Sequence, residues 1–230
     1  MKLFNCARRL ALSLQRKMDK LRLDARGIAA VEFAFVLPIM LTLYLGCVEV
    51  TQGVIANRQI TAVARTIADL ASQQTGALTD TGNTANGVDV SQIFAASQAL
   101  FPQATSANPI RMTISSVDFI AVPPACTTNC TYNAQTSWTV SLNSGTARPC
   151  NVVLTPVANG SIAAPTTMPV GVYGAGSIIV ADVTYSYQPT FGYVLVNNIP
   201  IQHTAYMRPR SQQYITFNPA TPAEKCAGMP

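Results

Sequence analysis

Charge and histidine are both scarce in this chain. Only 11 % of its 230 residues are Asp, Glu, Lys or Arg, and His203 is the single histidine. An enzyme that moves protons or activates a nucleophile needs several titratable groups brought together. The ten carboxylates are scattered, and His203 lies in a strand-like segment, where it reads as a rim or core side chain rather than a base. No P-loop, GxSxG or HExxH pattern occurs. No CxxC pair occurs either, which argues against a thiol–disulfide oxidoreductase. Cys126-x3-Cys130 has metal-like spacing, but no histidine lies near it and the next cysteines are far along the chain. Outside the cytoplasm, disulfides are favoured over a four-thiolate zinc site. The expectation is a non-enzymatic protein with no cofactor and no metal.

The little charge present is unevenly placed. Residues 1–26 hold eight basic side chains against Asp19 and Asp24, a net +6, whereas the remaining 204 residues hold seven basic and eight acidic, a net −1. Nucleic-acid binding requires a basic face on a folded domain, and the bulk of the chain has none. Sparse charge and a mean hydropathy of +0.24 fit an anchored protein better than a freely soluble one.

What the chain does have is an apolar run directly after the basic head. Residues 28–48, IAAVEFAFVLPIMLTLYLGCV, are long enough as a helix to span a hydrocarbon core of ~30 Å. Basic residues crowd just before the run, and only Arg58 and Arg65 follow it closely. The positive-inside rule therefore places the N-terminus in the cytoplasm and the C-terminal part outside.

Gly27 stands at the seam, and Glu32 lies inside the run. This pairing is the pattern of a prepilin-type processing site. A cut after Gly27 makes Ile28 the first mature residue, Glu32 the fifth and Phe33 the sixth. A carboxylate in an apolar helix costs on the order of 2.5–3.5 kcal/mol at the bilayer centre and less near its edge. A freed Ile28 amine is a cation at the same depth, so Glu32 of one subunit can pair with the amine of its neighbour. Snorkelling of Glu32 to the interface is the plainer account. Pro38 removes one hydrogen bond near the middle of the run and predicts a kink. A secretory signal peptide would have a shorter apolar region without Glu32 and Pro38. A lipoprotein signal at Leu45-Gly46-Cys47 is opposed by Tyr44, and an uncleaved plain anchor remains the main competitor.

The helical pattern continues past the membrane. Val54, Ile60, Val63, Ile67, Leu70 and Ala71 form one apolar stripe, with Arg58, Arg65 and Asp69 off it. One helix is expected from about Ile28 to Gln74, with Gly53 a weak point and the outer stripe packed on a sheet. Residues 75–90 read as a loop. Ser91 is placed to cap a second helix through Phe101, with Ile93, Phe94, Leu100 and Phe101 as its core and Pro102 as its stop. Strands are expected at 110–122, 137–142 and 176–189 and as a pair around 200–217. Residues 143–175 form a long Gly/Pro/Ala/Thr stretch with one short strand at Asn151–Thr155. The fold class is α+β: a long N-terminal transmembrane helix continuing into a pilin-like domain with a mainly antiparallel sheet. The division is a leader at 1–27, a transmembrane segment at 28–48, an exported helix at 49–74 and an exported domain at 75–230.

The exported part carries Cys126, Cys130, Cys150 and Cys226, enough for two disulfides in any of three connectivities. One or two bridges are expected. A short Cys126–Cys130 loop and a Cys150–Cys226 link tying down the C-terminus are the pairing considered, with Cys6 and Cys47 reduced.

With these pieces in place the chain resembles the TadE-like proteins of tight-adherence (Tad/Flp) pilus systems. The resemblance rests on Arg26-Gly27 followed by Glu32-Phe33 and Leu37-Pro38. It extends to Met112–Val117 with Trp138 in the next strand, to Val180–Pro189, to Phe191-Gly192, and to Ala205–Arg210. It implies a minor pseudopilin of the bacterial inner membrane, matured by a prepilin peptidase. The partners implied are Flp pilin, other minor pseudopilins, the Tad inner-membrane assembly platform and membrane lipid. Related TadG-like proteins share the anchor but often carry a von Willebrand-type domain, and no DxSxS-type metal site occurs here. The loop around Cys126 and the 143–175 stretch do not align with the family pattern. The alternative is an uncleaved single-pass envelope protein that binds a ligand or assembly partner through its exported domain.

Overall fold

The computed structural model describes residues 26–80, 87–190, 198–219 and 224–227. Cys6, the leader as far as residue 25 and the Phe191-Gly192 stretch lie outside the described residues. The chain divides into two units, Met1–Thr51 and Gln52–Pro230. One helix, α1, runs Arg26–Ser72 and so begins in the first unit and ends in the second. Its 47 residues include Pro38, and its ends fall two residues earlier than the periodicity suggests. Three threonine hydroxyls inside α1 bond back to the helix itself. Thr42 donates to the Ile39 carbonyl at 2.8 Å, Thr51 to Cys47 at 2.8 Å and Thr61 to Asn57 at 2.9 Å. That back-bonding lets a polar residue such as Thr42 sit in an apolar helix without an unpaired donor.

In the first unit, every residue from Ile28 to Tyr44 is exposed around the whole helix circumference. Phe33 is 64 % exposed and Phe35 75 %.

In the second unit, α1 is amphipathic. Ala56, Ile60, Val63, Ala64, Ile67, Ala68 and Ala71 are buried, at spacings of three and four. Val54, expected on this stripe, is 46 % exposed and lies off it; Ala56 takes its place. Gly53 passes through the helix without a break.

The stripe shares a core with a four-stranded antiparallel sheet. Its strands are β3 (Arg111–Val122), β4 (Thr131–Leu142), β7 (Gly176–Tyr187) and β8 (Ile199–Met207), in the order β4-β3-β7-β8. Strand β4 begins six residues before the expected 137, because Thr131–Thr136 pairs along Val117–Val122. One sheet face carries Met112, Ile114, Trp138, Val140, Ile179, Ala181 and Val183 into the core shared with the α1 stripe. The other face carries Val117, Phe119, Ala134, Ile178 and Val180 against Leu154 and Met168 from the 143–175 stretch. Both faces are therefore covered, and β3 reads as a nearly continuous buried run. The hydroxyls trapped in it pair across strands, Ser115 with Thr139 at 2.9 Å and Thr113 with Ser141 at 3.0 Å.

Smaller elements surround this centre. Strands β1 (Ala77–Thr79), β2 (Gly87–Asp89) and β9 (Phe217–Asn218) make a parallel sheet in the order β2-β1-β9. Part of the expected loop at 75–90 is thus strand, and the second strand expected near 217 joins β1 rather than the main sheet. Helix α2 (Val90–Gln98) is capped by Asp89, two residues earlier than the expected Ser91. The Asp89 carboxylate accepts from the Ser91 amide at 2.7 Å. Because α2 stops at Gln98 and tightens into a turn, Leu100 faces outward at 43 % exposure, while Ile93, Phe94 and Phe101 are buried.

Within 143–175, β5 (Thr155–Val157) pairs in parallel with β6 (Thr167–Pro169). The expected strand at 151–155 is displaced because Asn151 has a left-handed φ of 58°, which interrupts extended backbone. Cys150 and Val153 instead make single bridges to β4.

Candidate functional site

The residues singled out around Gly27 all fall in the first two turns of α1. Ile28 and Glu32 are four residues apart, one turn along the same face and about 6 Å in rise. Glu32 and Phe33 are both exposed. Glu32 is the only charged residue between Arg26 and Glu49. A Cβ added at Gly27 meets nothing within 4 Å, so the packing of this chain does not itself demand glycine there. The Gly27–Ile28 bond lies in the first turn of α1. The segment from Gly27 that continues α1 has a mean hydropathy of 2.1 over its most apolar window, none of it buried, and is long enough to cross a membrane. Cys47 is an exposed free thiol on the same helix.

The four cysteines of the second unit are joined as Cys126–Cys130 and Cys150–Cys226. The first closes the tip between β3 and β4. The second connects the 143–175 stretch to the last described residues, where Cys226 also donates its amide to the Ser137 carbonyl at 2.8 Å. His203 lies on β8 with its Nε2 3.0 Å from Asn57 Oδ1. Burial, followed by the Arg65 guanidinium, lowers its pKa, so the imidazole is neutral at pH 7. Among the described residues no three His, Cys, Asp or Glu side chains gather where they could hold a metal ion.

The structure brings together a group the motifs did not single out. Between residues 112 and 207 the chain has three charged side chains, Asp118, Arg148 and Asp182. Arg148 is 1 % exposed and forms a two-pronged pair with Asp182, Nε to Oδ2 at 2.9 Å and Nη2 to Oδ1 at 3.0 Å. Thr204 adds a hydroxyl to Asp182 Oδ1 at 2.6 Å. The remaining arginine nitrogen donates to the carbonyls of Ala164, Pro165 and Thr167 at 3.2–3.4 Å. One guanidinium thus ties the 143–175 stretch to β7, with the charge neutralised and all three of its nitrogens hydrogen-bonded. A legible signal existed: a carboxylate inside the apolar strand VADV needs a partner, and Arg148 is the sole Lys or Arg between Arg111 and Arg208.

Asp118 has no such partner. It is 3 % exposed on β3, and its Oδ2 makes no hydrogen bond. Burial raises its pKa from 3.8 to about 6, against the opposing effect of the Ser137 and Ser116 hydroxyls.

Compared with known proteins, the sequence model of the TadE-like protein family matches residues 27–69, the greater part of α1. No curated protein and no solved structure matches the chain.

Proposed function

We propose that this chain is a non-enzymatic minor pseudopilin that assists assembly of a tight-adherence (Flp) pilus. The TadE-like match supports association with that system. The carrying observation is the first part of α1: a helix exposed and apolar on every side from Ile28, broken by one carboxylate five residues after Gly27. Such a surface needs lipid or other apolar helices around it. In this reading a prepilin peptidase cuts after Gly27, with Gly27 serving the peptidase rather than the fold. The N-terminus faces the cytoplasm, the anchor spans the bacterial inner membrane, and the second unit is exported. Glu32 then meets the Ile28 amine of a neighbour, Flp pilin or another minor pseudopilin, beside the Tad inner-membrane assembly platform. Each charge offsets the other only on assembly.

The test is a pair of variants in cells with active peptidase. Gly27→Arg should leave the protein inserted at its full-length mass. Glu32→Gln should be processed and inserted but fail to support piliation. Normal piliation with Glu32→Gln would favour interfacial snorkelling. Processing that persists in Gly27→Arg would remove the proposed cut site and favour another reading of the anchor.

A further inference from the structure

A cavity of about 430 Å³ opens beside the tip of the β3–β4 hairpin. Its walls include Tyr132 from β4, Pro124 and Cys126 from the disulfide-closed tip, Ala121 from the end of β3 and Tyr214 from the segment before β9. Among the described residues, Asp118 is the only carboxylate in the lining, and no Lys, Arg or His lines it. We propose that this cavity is a binding site for a cationic group, the guanidinium or ammonium of a basic side chain.

Three observations carry it. First, Asp118 is the one buried charge of the 112–207 span that no described residue neutralises, since Arg148 is committed to Asp182. Second, Oδ2 lies under the wall with almost no accessible surface and no hydrogen-bond partner among the described residues, so the carboxylate acts on a cation in the cavity through its field rather than by direct contact at that oxygen. Third, Tyr132 and Tyr214 stand in the wall, and tyrosine is a residue type that attracts cations to its ring. The Cys126–Cys130 bridge holds one wall in shape, which lowers the entropy cost of binding.

The groups acting on Asp118 are the Ser137 and Ser116 hydroxyls, which oppose the effect of burial; the nearest described cation to the wall is Arg208, whose guanidinium lies over the Phe119 ring and donates to the Ala175 carbonyl. The bound cation favours the ionised carboxylate, so affinity rises as Asp118 loses its proton. With half-ionisation at about pH 6, the ionised fraction, and hence affinity, should rise about tenfold between pH 5 and pH 7.5.

The test titrates the detergent-solubilised full chain with acetyl-Gly-Arg-Gly-amide and with its uncharged citrulline analogue, by calorimetry at both pH values. The arginine peptide should bind at least tenfold more tightly than the citrulline peptide at pH 7.5 and show the tenfold rise with pH. Asp118→Asn should remove both differences. Ala121→Trp fills the cavity from its rim without changing Asp118, and should weaken arginine-peptide binding at least tenfold. A melting curve verifies that each variant is folded. Equal affinity for the two peptides, no binding by the native chain, or unchanged binding in folded Ala121→Trp would overturn the proposal.

Discussion

The two halves of α1 share their aliphatic residues but differ in the polar residues set between them, and they do opposite things. From Ile28 to Tyr44 the helix exposes apolar side chains on every side, and no other described residue of its unit covers them. From Ala56 to Ala71 it buries one stripe at spacings of three and four and turns Arg58 and Arg65 to solvent. The lesson lies in whether polar residues break the apolar run at the helical period. An unbroken apolar run has no face to choose, so its partners must come from outside the fold. A stripe backed by polar residues has already chosen its partner, the sheet. Function and stability should therefore separate along this helix.

The largest loss of stability should come from breaking the buried pair in the second unit. Arg148→Ala leaves Asp182 nearly buried with its charge unmatched, and should cost about 3–5 kcal/mol in urea unfolding of that unit. Replacing both partners, Arg148→Met with Asp182→Leu, should cost much less. A similar loss in the double variant would show that the shape of the guanidinium, rather than charge compensation, holds the 143–175 stretch.

A matched pair of substitutions sets the halves directly against each other. Ile67 is fully buried and Ile39 is 62 % exposed, although both lie on α1. Ile67→Ala should destabilise the second unit by about 2–5 kcal/mol. Ile39→Ala should leave its unfolding midpoint unchanged. Equal effects would mean that the halves do not behave as separate units.

The smallest effect concerns Asp118 and has a defined sign. Its folded-state pKa is raised from 3.8 to about 6, so burial of its charge is a penalty that is absent below pH 3.8 and complete above pH 6. Stability from this group falls as pH rises through that window. Asp118→Asn should remove the penalty, gaining on the order of 1–3 kcal/mol at pH 7.5 and almost nothing at pH 3.5. A stability difference between native and variant that does not change from pH 3.5 to 7.5 would show that Asp118 titrates as an ordinary carboxylate.

The parts of the fold legible in the sequence were those with a strong local period. The extent of α1 and the strands β3, β7 and β8 follow from helical spacing or β-branched runs. What escaped was set by distant partners. β1 and β9 are two or three residues long and owe their existence to parallel pairing across well over a hundred residues. Residues 131–136, TYNAQT, look polar and irregular alone, yet extend β4 because β3 lies alongside. The cap of α2 moved from Ser91 to Asp89 because the carboxylate two residues earlier reaches the Ser91 amide first. At the candidate site, Gly27, Ile28, Glu32 and Phe33 were readable because their spacing is local. Arg148 and Asp182 were not, being 34 residues apart, although the scarcity of charge around them was itself a clue.

The central claim is that α1 is the assembly element of a processed, pilin-like subunit. Its most direct test is the N-terminal sequence of the full-length gene product extracted from membranes of cells with active prepilin peptidase. The account predicts a sequence beginning Ile28-Ala29-Ala30-Val31-Glu32. A sequence beginning at Met1 would contradict it and leave the chain as a permanently anchored envelope protein.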